Sequence, residues 1–140
     1  MNGNKPILLV EDDQVDVMIV RRAMKELKVL NGLQVAQNGE EALAYLRDPT
    51  AAKPCIILLD LNMPRMNGIE FLQARQADPT LNALPVVVLT SSSEERDMVQ
   101  SYRLGVAGYM LKPVDYRQFV ETMRVIDMYW TLSQFPASTD

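Results

Sequence analysis

Apolar residues along this chain fall into short unbroken runs, and the stretches between them carry a helical period. Ile7-Leu8-Leu9-Val10 stops at Glu11-Asp12-Asp13. Ile56-Ile57-Leu58-Leu59 stops at Asp60, with Leu61-Asn62-Met63-Pro64 behind it. Pro85-Val86-Val87-Val88-Leu89 stops at Thr90-Ser91-Ser92-Ser93. Continuous apolar runs of this length, closed by turn residues, read as strands buried on both faces. The pattern predicts strands over 5–10, 33–36, 55–59, 84–89 and 108–111. It predicts helices over 14–27, 41–46, 69 to the Asp78-Pro79 break, 94–104 and 115 to about 132. In the first helix Val15, Met18, Ile19, Ala23, Met24 and Leu27 lie near helical spacing, and Asp13 is placed as N-cap. Asn38-Gly39, Asn67-Gly68 and Gly105 punctuate the rest.

Five strand–helix units in series imply a parallel sheet with helices on both faces, a doubly wound α/β fold. No linker, repeat or composition shift divides the chain. The expectation is one domain over 1–140 with its core in 5–130 and a frayed tail, 133–140, that holds Pro136. In open sheets of this kind ligands bind beyond the carboxyl ends of the strands. That is where the runs above deliver their acids and hydroxyls.

Composition narrows the chemistry. The 140 residues are 48% apolar and 23% charged, which is ordinary for a globular domain. A net charge of -4 argues against a nucleic-acid footprint, which needs a basic face. There is no histidine, so histidine bases, ligands and phosphocarriers are excluded. The single cysteine, Cys55, excludes an intrachain disulfide and a cysteine-cluster metal site. At the head of a strand it is expected to be a small buried side chain. No apolar run approaches membrane-spanning length, and the N-terminus has no signal-peptide core. A soluble, cytoplasmic protein with no membrane partner is the expectation.

Glu11 and Asp12 follow the first strand, Asp60 the third, Thr90 the fourth and Lys112 the fifth. In a parallel sheet these groups converge at one edge. Three crowded carboxylates repel unless a cation joins them, and an all-oxygen set suits a hard divalent ion such as Mg²⁺, with Mn²⁺ as a substitute. Such a site holds phosphoryl groups. Lys112 is then a point charge on phosphoryl oxygens, and Thr90 a hydroxyl donor to another. Asp60, the central carboxylate, is the candidate nucleophile, and its product is an acyl phosphate. Each residue alone has a plainer role: acids after strands cap helices, and Lys-Pro makes turns. The set on four strands is what carries the chemistry.

These stretches, together with Gly108-Tyr109-Met110-Leu111-Lys112-Pro113, resemble a CheY-like response-regulator receiver domain over about residues 5–130. Thr90 lies 30 residues after Asp60, Tyr109 another 19 on, and Lys112 three more. The resemblance implies a flavodoxin-like three-layer sandwich with sheet order 2-1-3-4-5. It implies that Asp60 accepts a phosphoryl group from a sensor histidine kinase. By the same resemblance Glu11, Asp12, Asp60 and the backbone carbonyl of Asn62 hold Mg²⁺. Thr90 and Lys112 contact the phosphoryl group, Tyr109 turns inward as a switch, and the Lys112–Pro113 bond is cis. Asn62 and Ser92 sit where autodephosphorylation is tuned in such domains.

The chain stops soon after its last helix, so the expected readout is a downstream protein target, or onward transfer in a phosphorelay or phosphate sink. Val125 to Leu132, with Trp130, Tyr129 and then Phe135, is more apolar than one helix face needs. A homodimer through the last helix and its extension, 126–140, is therefore expected. The long stretch from Leu46 to Pro54 and the segment from Asp78 to Pro85 are similar to stand-alone regulators of phytochrome-type sensor kinases. The alternative from another class is a small aspartyl-phosphate phosphohydrolase. Those enzymes need a second Asp two residues after the nucleophile, and Asn62 stands there.

Overall fold

Strands β1 (Ile7–Val10), β2 (Leu33–Ala36), β3 (Ile56–Leu59), β4 (Val86–Thr90) and β5 (Gly108–Leu111) run parallel in the order β2-β1-β3-β4-β5. They alternate with α1 (Gln14–Glu26), α2 (Gly39–Arg47), α3 (Gly68–Ala77), α4 (Glu95–Arg103) and α5 (Tyr116–Leu132). This computed structural model describes residues 5–112 and 115–132, with side chains through 129. The Lys112–Pro113 bond, the Trp130 side chain and the tail with Phe135 and Pro136 lie outside the described residues.

The apolar runs became strands because their side chains alternate between two cores. Ile7, Leu9, Ile56, Leu58, Val87 and Leu89 pack under α1 and α5 with Val17, Phe119 and Met123. Leu8, Val10, Ile57, Leu59, Val86 and Val88 pack under α2 and α3 with Leu43, Phe71 and Leu72. Burial on both faces explains why no polar residue interrupts β1, β3 or the apolar part of β4. The register pairs Val10 with Leu59 and Thr90 with Leu111. Glu11 and Asp60 therefore emerge side by side, and Lys112 leaves the sheet next to Thr90.

The expected element boundaries hold within a residue or two, the ordinary spread at frayed ends. The face of α1 does not. Val15 and Met18 are 63% and 67% exposed, while Val17 and Val20 are buried. Two residues are about 200° around a helix, so Val15 lies nearly opposite Val17. The stripe that meets the sheet is Val17, Val20, Ala23 and Met24. Cys55 is only partly buried, rather than fully, and burial pushes its thiol up.

One buried residue is a cation whose partners the local sequence does not announce. Arg75 of α3 is 3% exposed. Its guanidinium donates to the carbonyls of Leu84 (2.8 Å), Asn82 (3.2 Å) and Leu104 (3.2 Å). It thereby ties the α3–β4 connection to the end of α4. Burial lowers its pKa.

α3 starts on a capping box. The Asn67 side chain accepts from the Glu70 N–H at 2.9 Å, and Glu70 returns a bond to the Asn67 N–H at 3.0 Å. Asn67→Ala is expected to cost about 1 kcal/mol, read as a lower urea midpoint at unchanged slope.

Candidate functional site

Three carboxylates meet above the carboxyl ends of β1 and β3. Each of Glu11, Asp12 and Asp60 offers an oxygen within 4.8 Å of the others. Glu11 and Asp60 are buried and Asp12 is exposed, so the cluster opens to solvent on one side. This all-oxygen, multiply charged set fits a hard divalent cation and suits no soft metal.

Local structure holds each member. Asp13 caps α1, accepting from the Val15 N–H at 2.8 Å, as expected from the sequence. That leaves Glu11 and Asp12 on the short connection between β1 and α1. The Asp60 N–H donates to the Val10 carbonyl at 3.0 Å, continuing the β1–β3 ladder by one step. The Lys112 N–H donates to the Thr90 carbonyl at 2.8 Å and does the same for β4 and β5.

Thr90 is fully buried, and its hydroxyl donates to Asp60 Oδ1 at 2.9 Å. The Asn62 N–H also faces Oδ1, at 3.4 Å. Lys112 Nζ lies 3.5 Å from Asp60 Oδ2 but closer to two other carboxylates, Glu11 Oε1 at 2.5 Å and Asp16 Oδ2 at 2.8 Å. Burial alone would lower the Lys112 pKa. Its bonds to Asp16 and Glu11 outweigh that and push it up, so the ammonium stays charged.

Tyr109 is half-buried, and its hydroxyl donates to the Ser92 carbonyl at 2.9 Å. The Ser92 hydroxyl donates to Asp97 Oδ2 at 2.6 Å. The aromatic ring is thus tied to the β4–α4 loop that Thr90 begins.

The structure brings Glu11, Asp12, Asp60, Thr90 and Lys112, all named from the sequence, to one edge of the sheet. Sequence reasoning missed Asp16. The available signal was its place three residues after the Asp13 cap, on the first turn of a helix that starts at the site.

Glu11 titrates unusually. Burial is the main cause that raises its carboxyl from the ordinary 4.5 to about 7, Lys112 opposes this, and the Asp60 charge adds to it. The folded protein therefore binds this proton more tightly than the unfolded chain. The stability contributed is complete below pH 4.5 and is lost as pH rises through about 7. The thermal midpoint without divalent cation is expected to fall between pH 5 and pH 7.5, and a divalent cation that binds the cluster to flatten the fall, because it would favour the ionised carboxylate. Calorimetry across that range, with and without Mg²⁺, checks both.

Comparison with known proteins agrees with this geometry. The family model for the response regulator receiver domain matches residues 7–124. Response regulator Rcp1 of Synechocystis sp. is 35% identical over 133 residues, covering 92% of this chain and 90% of the relative. Protein PilH of Pseudomonas aeruginosa is 32% identical over 121 residues, with coverages of 85% and 95%. Among solved structures, the phosphorylated cyanobacterial phytochrome response regulator RcpA superposes with a TM-score of 0.90 at 36% identity, covering 96% of this chain and all of that one. The Mn²⁺-bound form of Rcp1 gives 0.87 at 34%, with coverages of 95% and 99%.

Proposed function

This chain belongs to the family of response regulator receiver domains, and we propose that it is a stand-alone, single-domain regulator phosphorylated on Asp60. The observation that carries the reading is the position of Asp60. It is a buried carboxylate at the end of the central strand, flanked by a hydroxyl donor, an ammonium and two further acids.

In the step proposed, one Asp60 oxygen attacks the phosphorus of a phosphohistidine on a sensor kinase. A P–O bond forms as the P–N bond breaks, and the electron pair leaves on the imidazole, which takes a proton from solvent. Glu11, Asp12, Asp60 and the Asn62 carbonyl are the proposed ligands of Mg²⁺, which when bound neutralises charge on the transferring group. Lys112 is placed to meet one phosphoryl oxygen. Thr90 is placed to exchange its bond to Asp60 Oδ1 for a bond to another. That exchange draws the β4–α4 loop inward, and Tyr109, tied to Ser92 on the same loop, follows.

Receiver domains of this kind interact with sensor histidine kinases. The likeness to Rcp1 and RcpA supports a kinase of the phytochrome type for this chain. Among the described residues no helix is long and apolar enough to cross a membrane, and we place the chain in the cytoplasm. The output is a protein surface or onward phosphotransfer. A homodimer through α5 is part of the proposal, supported by Val125 and Met128, each 54% exposed on that helix. Light scattering should give a dimer mass that Trp130→Ala weakens. A monomer at micromolar concentration, with and without beryllofluoride, sinks the dimer.

The phosphoacceptor reading is tested with acetyl phosphate and Mg²⁺. One phosphoryl group should appear in the intact mass, be removed by hydroxylamine and map to Asp60. Absence of uptake, or a label elsewhere, overturns it.

A further inference from the structure

The geometry points to Asp16 as the positioning residue of Lys112, the side chain that aims the third N–H of its ammonium at a group carried on Asp60. This rests on the phosphoacceptor reading above. An ammonium has three N–H donors and no acceptor. Glu11 Oε1 at 2.5 Å and Asp16 Oδ2 at 2.8 Å take two of them. Asp60 Oδ2, at 3.5 Å, is too far for a good third bond. An oxygen carried outward from Asp60 enters that gap and finds a donor already facing it.

Glu11 cannot hold the lysine in place alone. It is also one of the three clustered acids, so its oxygens are shared with any cation bound there. Asp16 stands outside that cluster and serves Lys112 without the conflict. Its own position is set by α1, whose first turn is capped by Asp13. Asp16, Lys112 and Glu11 share the wall of a cavity of about 260 Å³ between α1 and α5. The Lys112 stem therefore has room to swing if Asp16 lets go. Arg22, which lines the same cavity, is engaged with the Tyr116 ring, its guanidinium stacked 4.1 Å from the centroid. Lysine is a flexible point charge, and two fixed anchors convert it into a directed donor.

A double-mutant cycle tests this on the whole protein. Beryllofluoride affinity is measured at saturating Mg²⁺, after a separate Mg²⁺ titration of each variant. D16N should weaken it about fivefold, the scale of one ordinary hydrogen bond, because the site is partly exposed and the amide oxygen that replaces the carboxylate can still accept. D16E should restore it to within about twofold of wild type, and D16N in a K112Q background should change it by less than about twofold. The same cycle is read in the rate of phosphoryl uptake from acetyl phosphate, which keeps it measurable if K112Q binds beryllofluoride too weakly. An equal loss in both backgrounds means Asp16 acts through general charge and overturns the inference. So does unchanged or tighter binding in D16N. Wild-type protein that neither binds beryllofluoride nor accepts phosphate overturns the phosphoacceptor reading instead.

Discussion

Asp60→Asn is expected to take up no phosphoryl group from acetyl phosphate with Mg²⁺, yet to be at least as stable as wild type at pH 7. The two outcomes share one cause. In the proposed step the carboxylate acts as nucleophile because it is charged, and an amide oxygen does not form the acyl phosphate. The same charge carries a cost in the fold, because it sits beside Glu11 and adds to the burial that pushes that carboxyl up to about 7, a cost offset in part by the Lys112 ammonium 3.5 Å away. Asparagine keeps an oxygen that can still accept the Thr90 hydroxyl, and it removes the repulsion. Lys112 retains its shorter bonds to Glu11 and Asp16. The expected gain is on the order of 1 kcal/mol, with a shallower loss of stability between pH 5 and pH 7.5. Intact mass and calorimetry read the two effects. Labelling of the variant, or a thermal midpoint several degrees below wild type, contradicts the account.

Gly68→Ala is expected to cost about 3 kcal/mol and to weaken divalent-cation binding at the same time. A Cβ at this position lies 2.7 Å from both the Asp60 carbonyl oxygen and Leu61 Cα, and 2.8 Å from Leu61 Cδ2. Two of these atoms are backbone, so no rotamer change relieves the contact. Moving the backbone breaks the bond from the Gly68 N–H to the Leu61 carbonyl, now 3.0 Å, and shifts Asp60 itself. Alanine gains at most about 1 kcal/mol over glycine by helix propensity, and the clash outweighs it. Urea unfolding and a Mg²⁺ titration measure the two losses. A variant as stable as wild type with unchanged Mg²⁺ affinity refutes the prediction. The glycine of Asn67-Gly68, legible in the sequence only as a chain break, is the spacer that lets α3 start against the back of the site.

α1 shows where reading by pattern ends. Its existence, its Asp13 cap and its approximate span were legible, because they depend on neighbours in the chain. Its buried face was not. Val15 and Met18 are as apolar as Val17 and Val20, and the choice between them came from where β1 and β3 place their own side chains. Arg75 was hidden for the same reason. Its position, four residues after Phe71 and three after Leu72, falls on the buried face by helical period, but an arginine is ordinarily exposed and no adjacent residue announces a partner for its charge. It becomes buried because the α3–β4 connection folds back to supply the Asn82 and Leu84 carbonyls, and the end of α4, 29 residues on, supplies the Leu104 carbonyl.

By itself, the sequence determined the alternation of buried strands and helices, the parallel α/β class and the acids or hydroxyl at the ends of β1, β3 and β4. Local period and burial on both faces are enough to settle those. It also displayed the ordered set of Glu11, Asp12, Asp60, Thr90 and Lys112 that marks the family. Only the tertiary structure decided how those groups engage one another. Lys112 meets Glu11 across 101 residues and Asp16 across 96. Those contacts exist because strand order and register bring the ends of β1 and β5 to the same edge of the sheet. A contact that depends on every strand between its partners leaves no trace in the local pattern of either one.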